Sequence, residues 1–262
     1  MVARYLPWVT IRKWTSTRAH RSRAEPEQLV LFKAHGGKRR NAGRKAKGGR
    51  AGSPHAARPV LKARYPVHVT LRAVDAVGSL RRRVTYQAIR EATLTTARRE
   101  NFRIVHLSIQ RTHMHLIVEA DDEVALAAGM QGFQISAAKH LNAAISKGRP
   151  GRRRRGAVFP DRYHAQIIKS PHQARHTLRY VLGNWRRHQE DQVAPMSSWT
   201  IDWFSSAAMF PDWQEYGDEE FLWRGPDTYD PLLVYRPRTW LLREGWKKTG
   251  SISYRDVPKA TR

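Results

Sequence analysis

Residues 103–119, Arg103-Ile-Val-His-Leu-Ser-Ile-Gln-Arg-Thr-His-Met-His-Leu-Ile-Val-Glu119, read as two apolar strands joined by a short polar turn. Side chains alternate faces along a strand, so His113, His115 and Ile117 point one way and Met114, Leu116 and Val118 the other. The two imidazoles therefore share a face, about 7 Å apart along the backbone. From that spacing both rings can converge on one divalent cation if another element brings a third ligand. With 12 histidines in the chain an H-x-H tripeptide arises readily by chance, so it gains weight only from a second constellation.

That constellation is Ser170-Pro-His-Gln-Ala-Arg-His-Thr-Leu-Arg-Tyr-Val-Leu-Gly-Asn-Trp-Arg-Arg-His188. Ser170 as N-cap, Pro171 at the first helical position and Gln173 three residues after the cap start a helix. Ala174, Leu178, Val181 and Trp185 form its apolar stripe. Beside it runs a polar stripe of Gln173, His176, Tyr180, Asn184 and His188, in which Tyr180 and Asn184 are neighbours at i and i+4. Gly183 costs about 1 kcal/mol relative to alanine in a helix interior, so its presence suggests the close approach of another backbone or a ligand. His172 and His176 also stand at i and i+4, but no Glu follows His172 to supply the general base of an H-E-x-x-H site.

At these residues the chain resembles the HUH-type single-strand DNA transposases, and most closely the REP-associated tyrosine transposases. The resemblance covers about residues 60 to 190. It rests on His113-Met-His115 on a strand and Tyr180-x-x-x-Asn184 on a helix, in that order and with a helix and a strand between them. It implies that His113 and His115 bind Mg2+ or Mn2+, that Asn184 completes the metal site, and that Tyr180 is the nucleophile. Insertion-sequence members usually carry Gln at the position of Asn184, a departure that favours the REP-associated branch. The resemblance further implies a 5′-phosphotyrosine intermediate with a free 3′-hydroxyl, single-stranded or hairpin DNA as substrate, and a monomer as in the REP-associated branch in preference to the dimer of insertion-sequence members.

The composition agrees with a nucleic-acid partner. The 262 residues hold 48 Lys and Arg against 22 Asp and Glu, a formal net charge of +26. Self-repulsion of that size destabilises a compact state unless a polyanion screens it. A membrane is not expected, because there is no run of 18 apolar residues and no signal-peptide core. We expect a cytoplasmic, nucleoid-associated protein. With no cysteine, any metal must use His, Asn, Gln or carboxylate ligands. No P-loop or dinucleotide-binding turn is present, so no nucleotide cofactor is expected.

Three segments follow in chain order. Residues 1–62 form a basic N-terminal extension whose stretch 35–50 has seven Lys or Arg, five Gly and no acid. Such a stretch does not bury enough apolar surface to order itself, and Lys38, Arg39, Arg40, Arg44, Lys45, Lys47 and Arg50 are candidate phosphate contacts. Residues 63–192 carry the catalytic domain. Its strand at 67–73, helix at 80–100, central hairpin, helix at 123–147, strand at 163–168 and Tyr180 helix match an α+β, ferredoxin-like β-α-β-β-α-β antiparallel sheet with an added helix. Arg81, Arg82 and Arg83 on the first helix and Arg152, Arg153, Arg154 and Arg155 in the loop after the second are further candidates for phosphate contact. Residues 193–262 are an aromatic-rich extension holding six of the nine tryptophans. These are expected mainly to attach the segment to the domain, with nucleotide stacking as the alternative.

The activity expected is metal-dependent nicking and rejoining of single-stranded DNA. The alternative is a non-catalytic nucleic-acid-binding protein of ferredoxin-like fold, such as a domesticated transposase or an RNA binder. Against an RRM-like reader, the central strand presents His113 and His115 where exposed aromatics are needed.

Overall fold

Val67, Val69 and Leu71 alternate with His68, Thr70 and Arg72 to make a two-faced strand, β1 (Val67–Arg72), whose apolar side is buried. The computed structural model describes residues 59–96, 99–147, 154–216 and 229–258. In them β1 is followed by α1 (Arg83–Thr96), β2 (Phe102–Ile109), β3 (His113–Ala120), α2 (Glu123–Ser146), β4 (His164–Ile167) and α3 (Pro171–Arg187). The strands form one antiparallel sheet in the order β2-β3-β1-β4. The α+β, ferredoxin-like expectation is met. Of the expected central hairpin, however, only β3 lies inside the sheet, and β2 is at an edge.

Both faces of the sheet are covered, so β2 is buried along its whole length and β3 nearly so, with no polar alternation. On one face α1 and α2 pack over Val69, Leu71, Leu107 and Met114. Met130, Phe133, Ala137, Leu141 and Ile145 supply the buried stripe of α2, as the spacing predicts. Gly129 lets the helix settle on β2, since a Cβ there would meet the Phe102 ring at 2.2 Å. The helix expected over 80–100 is shorter, spanning Arg83–Thr96, with Ala88 and Ala92 among its buried residues. It begins beyond Leu80 and turns Tyr86, Ile89 and Thr93 inward while Val84 is 49% exposed. On the opposite face, Ala174, Leu178 and Val181 of α3 pack against Val105 and Ile117.

A bulge between Ile104 and His106 breaks the alternation of β2. It turns Val105 toward α3 and also sets His106 against Phe210, with Ser206 as its hydrogen-bond partner at 3.1 Å. Simple alternation, which puts these two residues on opposite faces, is overridden there. His106 is a packed histidine, pushed down to about 4 by burial.

The described residues of the C-terminal third run through short 3₁₀ turns and one helical turn, α4 (Trp240–Arg243). Trp203, Phe204, Phe210, Trp213 and Trp246 are buried in the two cores, whereas Trp240 is half exposed. Backbone bonds from Ile109 to Phe204 (2.8 Å) and from Tyr235 to Ile104 (2.9 Å) cover the outer edge of β2, which would otherwise offer unpaired donors and acceptors. Buried Glu119 accepts the backbone N–H groups of Arg238 and Thr239, fixing the same segment at β3. No helix among the described residues is long and apolar enough to cross a membrane.

Candidate active site

The start of α3 is set by its own sequence. Ser170 Oγ accepts the Gln173 N–H at 3.2 Å, and Gln173 Oε1 reaches back to accept the Lys169 N–H at 2.8 Å. With the apolar stripe packed on the sheet, the neighbouring polar stripe lies over β1 and β3, and Tyr180 stands above His115.

The sheet register assembles the rest. Thr70 lies opposite His115 and Arg72 opposite His113. His115 Nδ1 is therefore within 3.2 Å of both His68 Nε2 and Thr70 Oγ1. A proton on Nδ1, donated to either partner, leaves His115 Nε2 as a free lone pair, and that atom lies 3.5 Å from the Tyr180 hydroxyl. The His113 ring stands 4.8 Å from the His115 ring and 5.6 Å from that of His188. Thr112 Oγ1 lies 3.3 Å from His113 Nδ1, and a proton on Nδ1 donated to it would leave Nε2 of that ring open as well.

Burial is the main cause of the site's electrostatics. It pushes His115 down to about 2, helped by His68, His113, His188 and Arg187. His113 falls to about 4 through burial, then His188 and Arg72, and His68 to about 4 through burial, then His164 and His176. All three rings are thus neutral near pH 7, the form that ligates metals. Burial raises the Tyr180 phenol above its ordinary value, while Arg187 and Asn184 act in the opposite direction.

Asn184 is fully buried, and neither polar atom of its amide makes a hydrogen bond of proper geometry, although it lies near enough to Tyr180 to influence the phenol. Among the described residues no three His, Asp or Glu side chains are arranged to hold an ion, so a metal at the His113–His115 pair has to draw on the amide or on a moved side chain. A cleft of about 620 Å³ opens beside Tyr180 and His115, walled by His68, His164, His172 and His176.

The structure thus brings His113, His115 and Tyr180 together, sets Asn184 beside Tyr180, and adds four residues that the sequence did not assign to the site. His68 and Thr70 depend on sheet register, which the sequence does not display. Arg187 and His188 sit seven and eight residues after Tyr180, a helical spacing that offered a signal.

The basic residues divide differently. Arg81 is corrected as a phosphate contact: it is 8% exposed, and its guanidinium grips Asp202 through two bonds of 2.7 and 3.0 Å and donates to the Ile109 carbonyl. A cation so enclosed does not reach a nucleic-acid backbone. Arg82 and Arg83 are exposed, though Arg82 also donates to the carbonyls of Ser79 and Val77. Arg154 folds back on Asn142 and the Ala157 carbonyl, and Arg155 is exposed. Lys38, Arg39, Arg40, Arg44, Lys45, Lys47, Arg50, Arg152 and Arg153 lie outside the described residues.

Residues 63–184 match the family described as IS200-like transposases. No curated protein matches the chain. A solved structure of a REP-associated tyrosine transposase bound to a REP hairpin aligns over 71% of this chain and 100% of its own, at 16% identity and a TM-score of 0.45.

Proposed function

We propose that residues 63–184, which match the IS200-like transposase family, nick and rejoin single-stranded DNA beside a hairpin, with Tyr180 as nucleophile and His113, His115 and Asn184 as ligands of Mg2+ or Mn2+. The observation that carries this reading is the Tyr180 hydroxyl 3.5 Å from His115 Nε2, both on one chain. The residues present fit a divalent cation. Burial keeps the two imidazoles neutral, the ligating form, and the amide of the buried Asn184 lacks a partner that a cation at Oδ1 would provide. When bound, the cation supplies Lewis-acid polarisation of the scissile phosphate.

The protein's own groups do the rest. His68 and Thr70 hold the His115 ring by its Nδ1 edge, so that Nε2 keeps its direction. Tyr180 oxygen attacks phosphorus as the bond to the 3′ oxygen breaks, and the phenolic proton ends on the released 3′-hydroxyl. One phosphodiester-type bond forms for each one lost, so no ATP is needed and rejoining is the same step reversed. A buried phenol resists ionisation, and positive charge near Tyr180 offsets that resistance.

The test is incubation of labelled hairpin DNA carrying a single-stranded flank with the protein and Mn2+. A covalent protein–DNA adduct is expected, lost on adding EDTA and in His113→Ala and His115→Ala. An adduct that survives both substitutions and EDTA removes the metal from the account.

A further inference from the structure

Four arginines lie on α3, and three of them are already engaged. Arg175 donates to the Ser251 carbonyl at 2.7 Å, Arg179 pairs with Asp256 at 2.9 Å, and Arg186 donates to the Tyr254 carbonyl at 3.0 Å and pairs with Asp191 at 3.2 Å. Arg187 differs. Its Nη1 is shielded from solvent and has no hydrogen-bond partner, and among the described residues no carboxylate lies within ion-pair range of it.

The direction of that side chain follows from helix geometry. Seven residues make almost two full turns, so Arg187 returns to the face of Tyr180 about 10 Å further along the axis. Helical side chains lean toward the N-terminus, and a long one covers much of that rise. The guanidinium carbon accordingly stands 5.9 Å from the centre of the Tyr180 ring. At the outer limit of cation–π range this contact is a weak reason for keeping a guanidinium there. A shielded N–H without an acceptor is costly, and its usual explanation is a partner that arrives with a ligand. Planar guanidinium donors match the non-bridging oxygens of a phosphate diester better than any other side chain does.

We propose that Arg187 is a catalytic residue that binds the non-bridging oxygens of the scissile phosphate and stabilises the charge that builds there as Tyr180 attacks. The inference rests on the transposase reading above and assigns a role in it to a residue outside the two motifs. The guanidinium already stands beside the Tyr180 ring, and its unpartnered Nη1 has only to turn toward the strand to make this bond.

The experiment compares the full-length protein with Arg187→Gln and Arg187→Lys, using hairpin DNA with a single-stranded flank in the presence of Mn2+. Adduct formation is followed at saturating protein, with DNA affinity, Mn2+ affinity and melting temperature measured alongside. Arg187→Gln is expected to slow adduct formation by about 10²–10³-fold, the effect of losing one aligned donor. DNA affinity should stay within about threefold, because one phosphate contact among many is lost. Mn2+ affinity and melting temperature should not change, and Arg187→Lys should recover part of the rate. A rate in Arg187→Gln close to that of the wild type overturns the proposal. So does an equal loss in both variants accompanied by a fall in Mn2+ affinity or melting temperature, which marks a structural role. If the wild type forms no adduct while still binding the DNA, the transposase reading itself fails, and this inference with it.

Discussion

Asn184 is a poor choice for a helix buried against a sheet, because its amide is removed from water and finds no partner of proper geometry. An unsatisfied buried group of this kind costs about 1–3 kcal/mol. A leucine of similar size should remove that cost, so Asn184→Leu is expected to raise the urea midpoint of unfolding. If the amide oxygen is a metal ligand, the same substitution should weaken Mn2+ binding by more than about tenfold, the lower end of what a displaced metal-site partner costs. Calorimetric titration with Mn2+ and urea melts of the same preparations check both halves. A variant that is more stable and binds Mn2+ as before would remove Asn184 from the ligand set. Gly183 beside it answers a different demand: an added Cβ would stand 3.3 Å from the Asp256 carbonyl, so the C-terminal backbone passes directly over the tyrosine helix.

Among the elements, α1 and the segment before it show how the same residue type acquires opposite roles. Arg81, just ahead of the helix, is sealed between Asp202, the Ile109 carbonyl and the face of Phe204, whereas Arg83 in the first turn is exposed. Breaking a buried pair by removing one partner costs about 3–5 kcal/mol. Arg81→Ala is therefore expected to unfold at a markedly lower denaturant concentration. Arg83→Gln should keep its stability and, if the residue meets a phosphate, lower the slope of log affinity against log salt by about 0.7–0.9. A stable Arg81→Ala would contradict the structural role given to the pair. The two helices α2 and α3 were legible because their apolar stripes and the Ser170 cap are local patterns. The partnership of Arg81 was not, since its carboxylate lies 121 residues away. The same holds for the support of His115 by His68 and Thr70, which exists only through the β1–β3 register. The bulge at Ile104/His106 likewise defeats a strict alternation rule, and no residue type in β2 announces it.

Taken as a whole molecule, the chain sets a strongly positive charge of +26 against a small number of acids, and several of those acids are spent inside. Asp202, Glu190 and Glu119 are all buried, holding Arg81, Arg111 and the backbone of Arg238 and Thr239 respectively. Their negative charge serves folding and leaves the surface basic, which suits a polyanionic partner. The C-terminal segment secures the tyrosine helix by its outer arginines, so Tyr180 meets the histidines of its own chain. The account stands or falls on that tyrosine. The most direct measurement is mass-spectrometric mapping of the peptide that retains nucleotide after the protein is incubated with Mn2+ and hairpin DNA bearing a single-stranded flank. The account requires one 5′-phosphodeoxynucleotide on Tyr180 and none in Tyr180→Phe, with DNA affinity preserved in that variant. An adduct on another residue such as Tyr163, or one that persists in Tyr180→Phe, would contradict it.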